Sequence, residues 1–154
     1  MLPGWQADLD KAVALNPADA AVLHRSAILL AVLGKLPEAI ATDEKALALD
    51  PLSAEICMRL AFFLVSNQQL AQARPLYEKA LVIAPNSVRA RYHLGGLDLL
   101  ENQPEQALAV FRQTGDEGFN LIGQAKAQFS LTRARRAPRA SSPPAPHLAV
   151  FRPG

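Results

Sequence analysis

Small and apolar residues return along this chain at a spacing of 34. Ala39, Ala73 and Ala107 share one column, Ala12, Ala46 and Ala80 a second, and Pro17, Pro51 and Pro85 a third. Leu15, Leu49 and Ile83 stand two residues before each proline, with Leu47 and Leu81 two residues earlier still. This is the period of a stacked helix–turn–helix array, in which no single unit can bury its own apolar face. The chain is therefore expected to fold as an all-α solenoid and to work through a surface.

The punctuation between apolar runs sets the helices. Asn16-Pro17-Ala18-Asp19, Asp50-Pro51-Leu52-Ser53 and Pro85-Asn86-Ser87 each stop one helix with a proline and offer an oxygen-bearing side chain to cap the next. Within units, Gly34-Lys35-Leu36-Pro37 turns on a glycine, whereas Asn67-Gln68-Gln69 and Asn102-Gln103-Pro104 use polar residues, asparagine tolerating the left-handed conformation best after glycine. Helices are predicted over about 4–15, 20–33, 37–48, 54–67, 71–82, 88–101, 105–113 and 116–131, with no strand. Gly123 follows Gly95 by only 28 residues, so the third unit's second helix must be short.

The columns resemble the tetratricopeptide repeat family. Ala27, Gly34, Ala39, Ala46 and Pro51 occupy its small-residue, turn and stop positions in a unit spanning 20–53. Leu60-Ala61, Leu64, Ala73, Tyr77, Ala80 and Pro85 do so over 54–87, and Tyr92, Leu94-Gly95, Ala107 and Phe111 over 88–115, where Thr114 replaces the expected alanine. Residues 1–19 and 116–131 read as partial units, which makes 1–131 the repeat domain. The resemblance implies antiparallel helix pairs in a right-handed superhelix. It also implies a groove lined by the first helix of each unit, with His24, Arg25, Ile28, Met58, Arg59, Phe62, Arg89, Tyr92 and His93 facing a partner. Arg25, Arg59 and His93 would stack as a basic row, and a guanidinium row beside apolar side chains suits a protein or peptide segment carrying carboxylates. A solvated face whose arginines pair with Glu55 is the plainer alternative. The family's carboxylate clamp is matched by Arg89 alone. Ile28 and Arg59 stand where the clamp has asparagines, His24 where it has lysine, and His93 where it has a basic residue of another type. Bacterial proteins of this kind carry such arrays beside cyclase, transferase or DNA-binding regulatory domains.

Composition narrows the function classes. Half the residues are apolar, enough for a continuous core. The lone Cys57 excludes an intrachain disulfide, is compatible with a reducing cytosol and is expected as a small buried hydrophobe. Eleven Lys and Arg against fourteen Asp and Glu over residues 1–131 make the body mildly acidic, while five arginines follow from Arg133 onward. After Leu131 the apolar period gives way to an Arg/Pro-rich run, so 132–154 is expected to be a disordered tail. The longest apolar run, Ala27 to Leu33, is too short to span a bilayer, and a cytoplasmic location is expected. No phosphate loop, nucleophile–base set or paired-carboxylate site is visible, and His24 and His93 sit two repeats apart with no acid at ligand spacing. The expectation is thus a non-catalytic interaction or scaffold module, without metal, cofactor or small-molecule substrate, that self-associates through uncapped ends. The alternatives are an accessory portion of a transferase or cyclase-type enzyme, or nucleic-acid binding through the basic tail.

Overall fold

The first helix of each unit starts where a side-chain oxygen meets orphan amides. In the computed structural model, which describes residues 4–136, the Asp19 carboxylate accepts hydrogen bonds from the amides of Ala21 (2.8 Å) and Val22 (3.1 Å). Ser53 and Ser87 do the same for Ile56 (3.4 Å) and Ala90 (3.3 Å). Eight helices result among the described residues, with no strand: α1 (Trp5–Leu15), α2 (Ala20–Val32), α3 (Leu36–Leu49), α4 (Ala54–Ser66), α5 (Leu70–Ile83), α6 (Val88–Leu100), α7 (Pro104–Arg112) and α8 (Glu117–Arg136). The last helix runs five residues past Leu131, taking Arg133, Arg135 and Arg136 into its final turn, where cations complement the helix dipole. The tail boundary expected at 132 is corrected to that extent, and the remainder of the expected tail lies outside the described residues.

The turn inside each unit repeats its backbone geometry with a different residue each time. Gly34 (φ 80°), Gln68 (φ 63°) and Asn102 (φ 59°) all take the left-handed conformation. The following amide then reaches back to the helix: Lys35 to the Leu30 carbonyl (2.9 Å), Gln69 to Leu64 (2.8 Å) and Gln103 to Asp98 (2.8 Å). In the second unit the strained residue is therefore Gln68, not the preceding Asn67.

Alanine columns let the helices approach. Ala27, Ala39, Ala46, Ala61, Ala73, Ala80, Ala90, Ala107 and Ala127 are all fully buried, and α2 packs on α3, α4 on α5, and α6 on α7. Units join through α3 against α4 and α5 against α6, while α8 packs on both α7 and α6. That is an all-α solenoid. Cys57 is buried within the same core, and burial pushes its thiol pKa up. The short α7 is closed over by one aromatic ring. Phe111 is fully buried, and a Cβ on Gly95 of α6 would lie 2.7 Å from its ring, while one on Gly123 of α8 would overlap it. Two glycines thus make room for Phe111, which explains how α8 can follow after only 28 residues.

Two core columns hold charge. Asp98, 2% exposed, stands where earlier units have Leu30 and Leu64, and accepts a 2.7 Å bond from Arg74 of α5, which also pairs with Glu101. Arg74 in turn occupies the column of Ile40 and Leu108. The pair ties the second unit to the third by a part-buried ionic contact.

Candidate partner-binding groove

The first helices of the units, α2, α4 and α6, carry all nine residues expected to line the groove. Seven remain at least partly accessible, at Arg25, Ile28, Arg59, Phe62, Arg89, Tyr92 and His93. His24 is largely covered but not buried, and Met58 is a correction. It is 3% exposed and belongs to the core cluster with Ala61, Tyr77 and Ala80, so a partner cannot reach it. Met58 alone of its column is sunk into the core, where it joins Tyr77 and Ala80 of α5, while His24 and Tyr92 keep some exposure.

Arg59 and Arg89 converge on one acid. Glu55 Oε1 lies 3.3 Å from Arg59 Nη2 and 3.8 Å from Arg89 Nη1. This is the pairing anticipated for a solvated face, yet two guanidiniums share the single exposed carboxylate of Glu55. Arg25 is exposed and makes no ion pair among the described residues.

The third member of the row differs from its neighbours in kind. The His93 ring is enclosed by aromatics, edge-on to Phe62 (5.4 Å) and Tyr92 (6.0 Å) and stacked on Tyr77 (6.0 Å). Burial, followed by the charges of Arg89, Arg59 and Lys126, lowers its pKa below the usual histidine value of 6.5. His93 is therefore neutral at pH 7, and the basic row consists of arginines with an aromatic-lined imidazole at its end. Burial also raises the phenol pKa of Tyr77, which keeps that wall uncharged.

Several contributors lie off the first-helix columns. Asp43 of α3 is fully buried and hydrogen-bonded to His24 Nδ1 at 2.7 Å, so an acid does meet one of the two histidines. Burial raises the Asp43 pKa, offset by the hydrogen bond and charge of His24 and by the charge of Arg59. The second carboxylate oxygen of Asp43 and Nε of Arg59 are buried without a hydrogen-bond partner among the described residues. Lys126 of α8 donates to Tyr92 Oη at 2.6 Å and lies 5.0 Å from the centre of that ring. The signal for Asp43 was present as an acid in the column of Tyr77 and Phe111. Lys126 had none, because the shortened third unit shifts α8 out of register.

Two cavities open on this face, one on each side of Phe62. The first, about 420 Å³, is lined by Ile28, Leu36, Arg59, Phe62 and Phe63. The second, about 320 Å³, is lined by Phe62, Tyr77, Tyr92, His93, Gly96 and Lys126. Both sit at the small end of the range of roughly 300–1,000 Å³ in which small-molecule sites fall. They suit single side chains better than a cofactor. Among the described residues no His, Cys, Asp and Glu cluster could hold a metal, and no helix is long and apolar enough to cross a membrane.

Residues 64–129 match the family model described as tetratricopeptide repeat. No curated protein matches the chain. Among solved structures, the crystal structure of yeast Tom70 superimposes with a TM-score of 0.73 at 18% identity. The match covers 84% of this chain and 29% of that one, so the likeness is one of fold, to less than a third of the other protein. Repeats of this family generally mediate protein–protein interaction. Period, helix pairing and family match agree over residues 64–129, which match the tetratricopeptide repeat, and the described solenoid as a whole shares the fold of that solved structure.

Proposed function

We propose that the face made by α2, α4 and α6 binds an acidic segment of a protein partner, and that the chain acts as a non-catalytic interaction or scaffold module. The observation that carries this reading is the sharing of Glu55 by Arg59 and Arg89, with Arg25 unpaired beside them. Excess positive charge thus borders two apolar cavities in a domain whose body is mildly acidic overall. An incoming carboxylate would meet guanidiniums already held in place by Glu55, and would complete their neutralisation. Arg59, half-covered at the wall of the first cavity and in the middle unit, should contribute most, because a central charge is screened less than a rim charge.

The test is affinity capture by the full chain from extracts of its own cells, in parallel with Arg59→Glu. A partner retained by the wild type should be lost by the variant and should elute as salt rises. Arg59→Ala should weaken binding by about 1–3 kcal/mol with stability nearly unchanged. A partner indifferent both to charge reversal and to salt would mean that the arginines form a solvated face.

A second reading rests on α8, where Leu121, Ile122 and Phe129 are exposed by 59%, 55% and 69%. Apolar surface of this kind supports self-association with a second copy of the chain. Sedimentation at rising concentration should show oligomers for the wild type and monomers for Phe129→Glu.

A further inference from the structure

Column by column, the ninth position of the first helices reads Ile28, Phe62 and Gly96. The two side chains project onto the groove face, and the glycine leaves a gap there. Its neighbour Gly95 is needed for packing, since a Cβ would strike Phe111, whereas a Cβ on Gly96 would meet nothing within 4 Å. Gly96 sits inside α6 with no positive φ to require it, and glycine in a helix interior is less stable than alanine. Nothing within the fold therefore calls for glycine at 96. What it does is open the 320 Å³ cavity, whose walls are the rings of Phe62, Tyr77, Tyr92 and His93.

The walls and the rim differ in chemistry. The rings are uncharged, so the interior favours an apolar side chain. The one charged side chain in the lining is a cation, Lys126 over the Tyr92 ring, and Arg59 lines the neighbouring cavity across Phe62, where it shares Glu55 with Arg89. An apolar group flanked by carboxylates meets both demands, and an apolar group flanked by lysines meets only one. We propose that the Gly96 cavity is the anchor subsite of the groove, taking one bulky apolar side chain, leucine-sized or aromatic, of an acidic partner segment. This inference rests on the groove reading above and adds which part of the partner is gripped.

The probe is a library of short random peptides displayed on phage and selected on the full chain. Acidic peptides with one bulky apolar residue should be enriched. Gly96→Leu fills the cavity and should weaken the selected peptides about tenfold or more. Gly96→Ala serves as the folding control, and its melting temperature should equal or exceed that of the wild type. If selected peptides are lost on Arg59→Glu but bind Gly96→Leu as well as the wild type, the anchor assignment is wrong and the groove stands. Selected peptides indifferent to both changes, or a selection without acidic peptides, would overturn both.

Discussion

The first and second units place equivalent residues in equivalent positions and fill them with opposite chemistry. Columns 24 and 43 are a histidine and a buried aspartate bonded at 2.7 Å, while the same columns in the second unit are Met58 and Tyr77, both in the apolar core. The third unit answers with Tyr92 and Phe111, rings 5.6 Å apart. The repeat fixes which positions meet and leaves open what meets there. Substitutions at one column are therefore tolerated only when the facing column changes with them, and the polar versions are the more exposed to failure because an unpaired buried charge costs more than a poorly filled apolar site.

The largest effect should come from breaking the ion pair between half-buried Arg74 and buried Asp98, which stands in a leucine column. Arg74→Ala leaves the buried Asp98 without its main partner and should destabilise by about 2–4 kcal/mol in urea unfolding, less than a fully buried pair because Arg74 is half-buried. The double change Arg74→Leu with Asp98→Leu restores the residue types of the other units and should recover most of that loss or exceed the wild type. A double variant no better than the single one would show that the columns are not interchangeable.

Removing His24 probes the same logic with a titratable readout. His24→Ala should cost about 1–3 kcal/mol at neutral pH by stranding the Asp43 carboxylate. The native carboxyl pKa is already raised by burial and loses two lowering influences in the variant. Stability tied to a raised carboxyl is complete below the usual carboxylate range and lost as pH rises, so the deficit of His24→Ala should shrink on acidification. His93 has the opposite sign. Its lowered pKa contributes stability above about 6.5 that is lost as pH falls, and His93→Phe should flatten that fall in the urea midpoint between neutral and mildly acid pH. Gly123→Ala should cost about 1–3 kcal/mol by pressing on Phe111, with Phe111→Leu giving relief. The smallest expected change is a gain: Gln68→Gly should stabilise by about 0.5–1 kcal/mol, matching the turn at Gly34.

Most of the fold was legible because the signal is periodic. Pro17, Pro51 and Pro85 bound the units, Asp19, Ser53 and Ser87 cap as their positions require, and the short α7 follows from the spacing of Gly95 and Gly123. The groove was legible only in part. A column shows which residues stack and does not show depth, so Met58 was assigned to the face although it points inward. Formal charge does not reveal surroundings either, and the aromatic enclosure that keeps His93 neutral depends on Tyr77, from a different helix. Pro75 carries a helix-breaking signal, yet α5 continues through it with the ring exposed and one backbone hydrogen bond forgone.

On the proposed reading, partners are held on the first-helix face, between the arginines and the Gly96 cavity. Nuclear magnetic resonance mapping of the full chain with an acidic peptide from the selection tests it directly. Shift changes should concentrate at Arg59, Phe62, His93 and Gly96 and weaken in register with added salt. Changes concentrated instead on α3, α5 and α7 would place the partner on the opposite face and contradict the account.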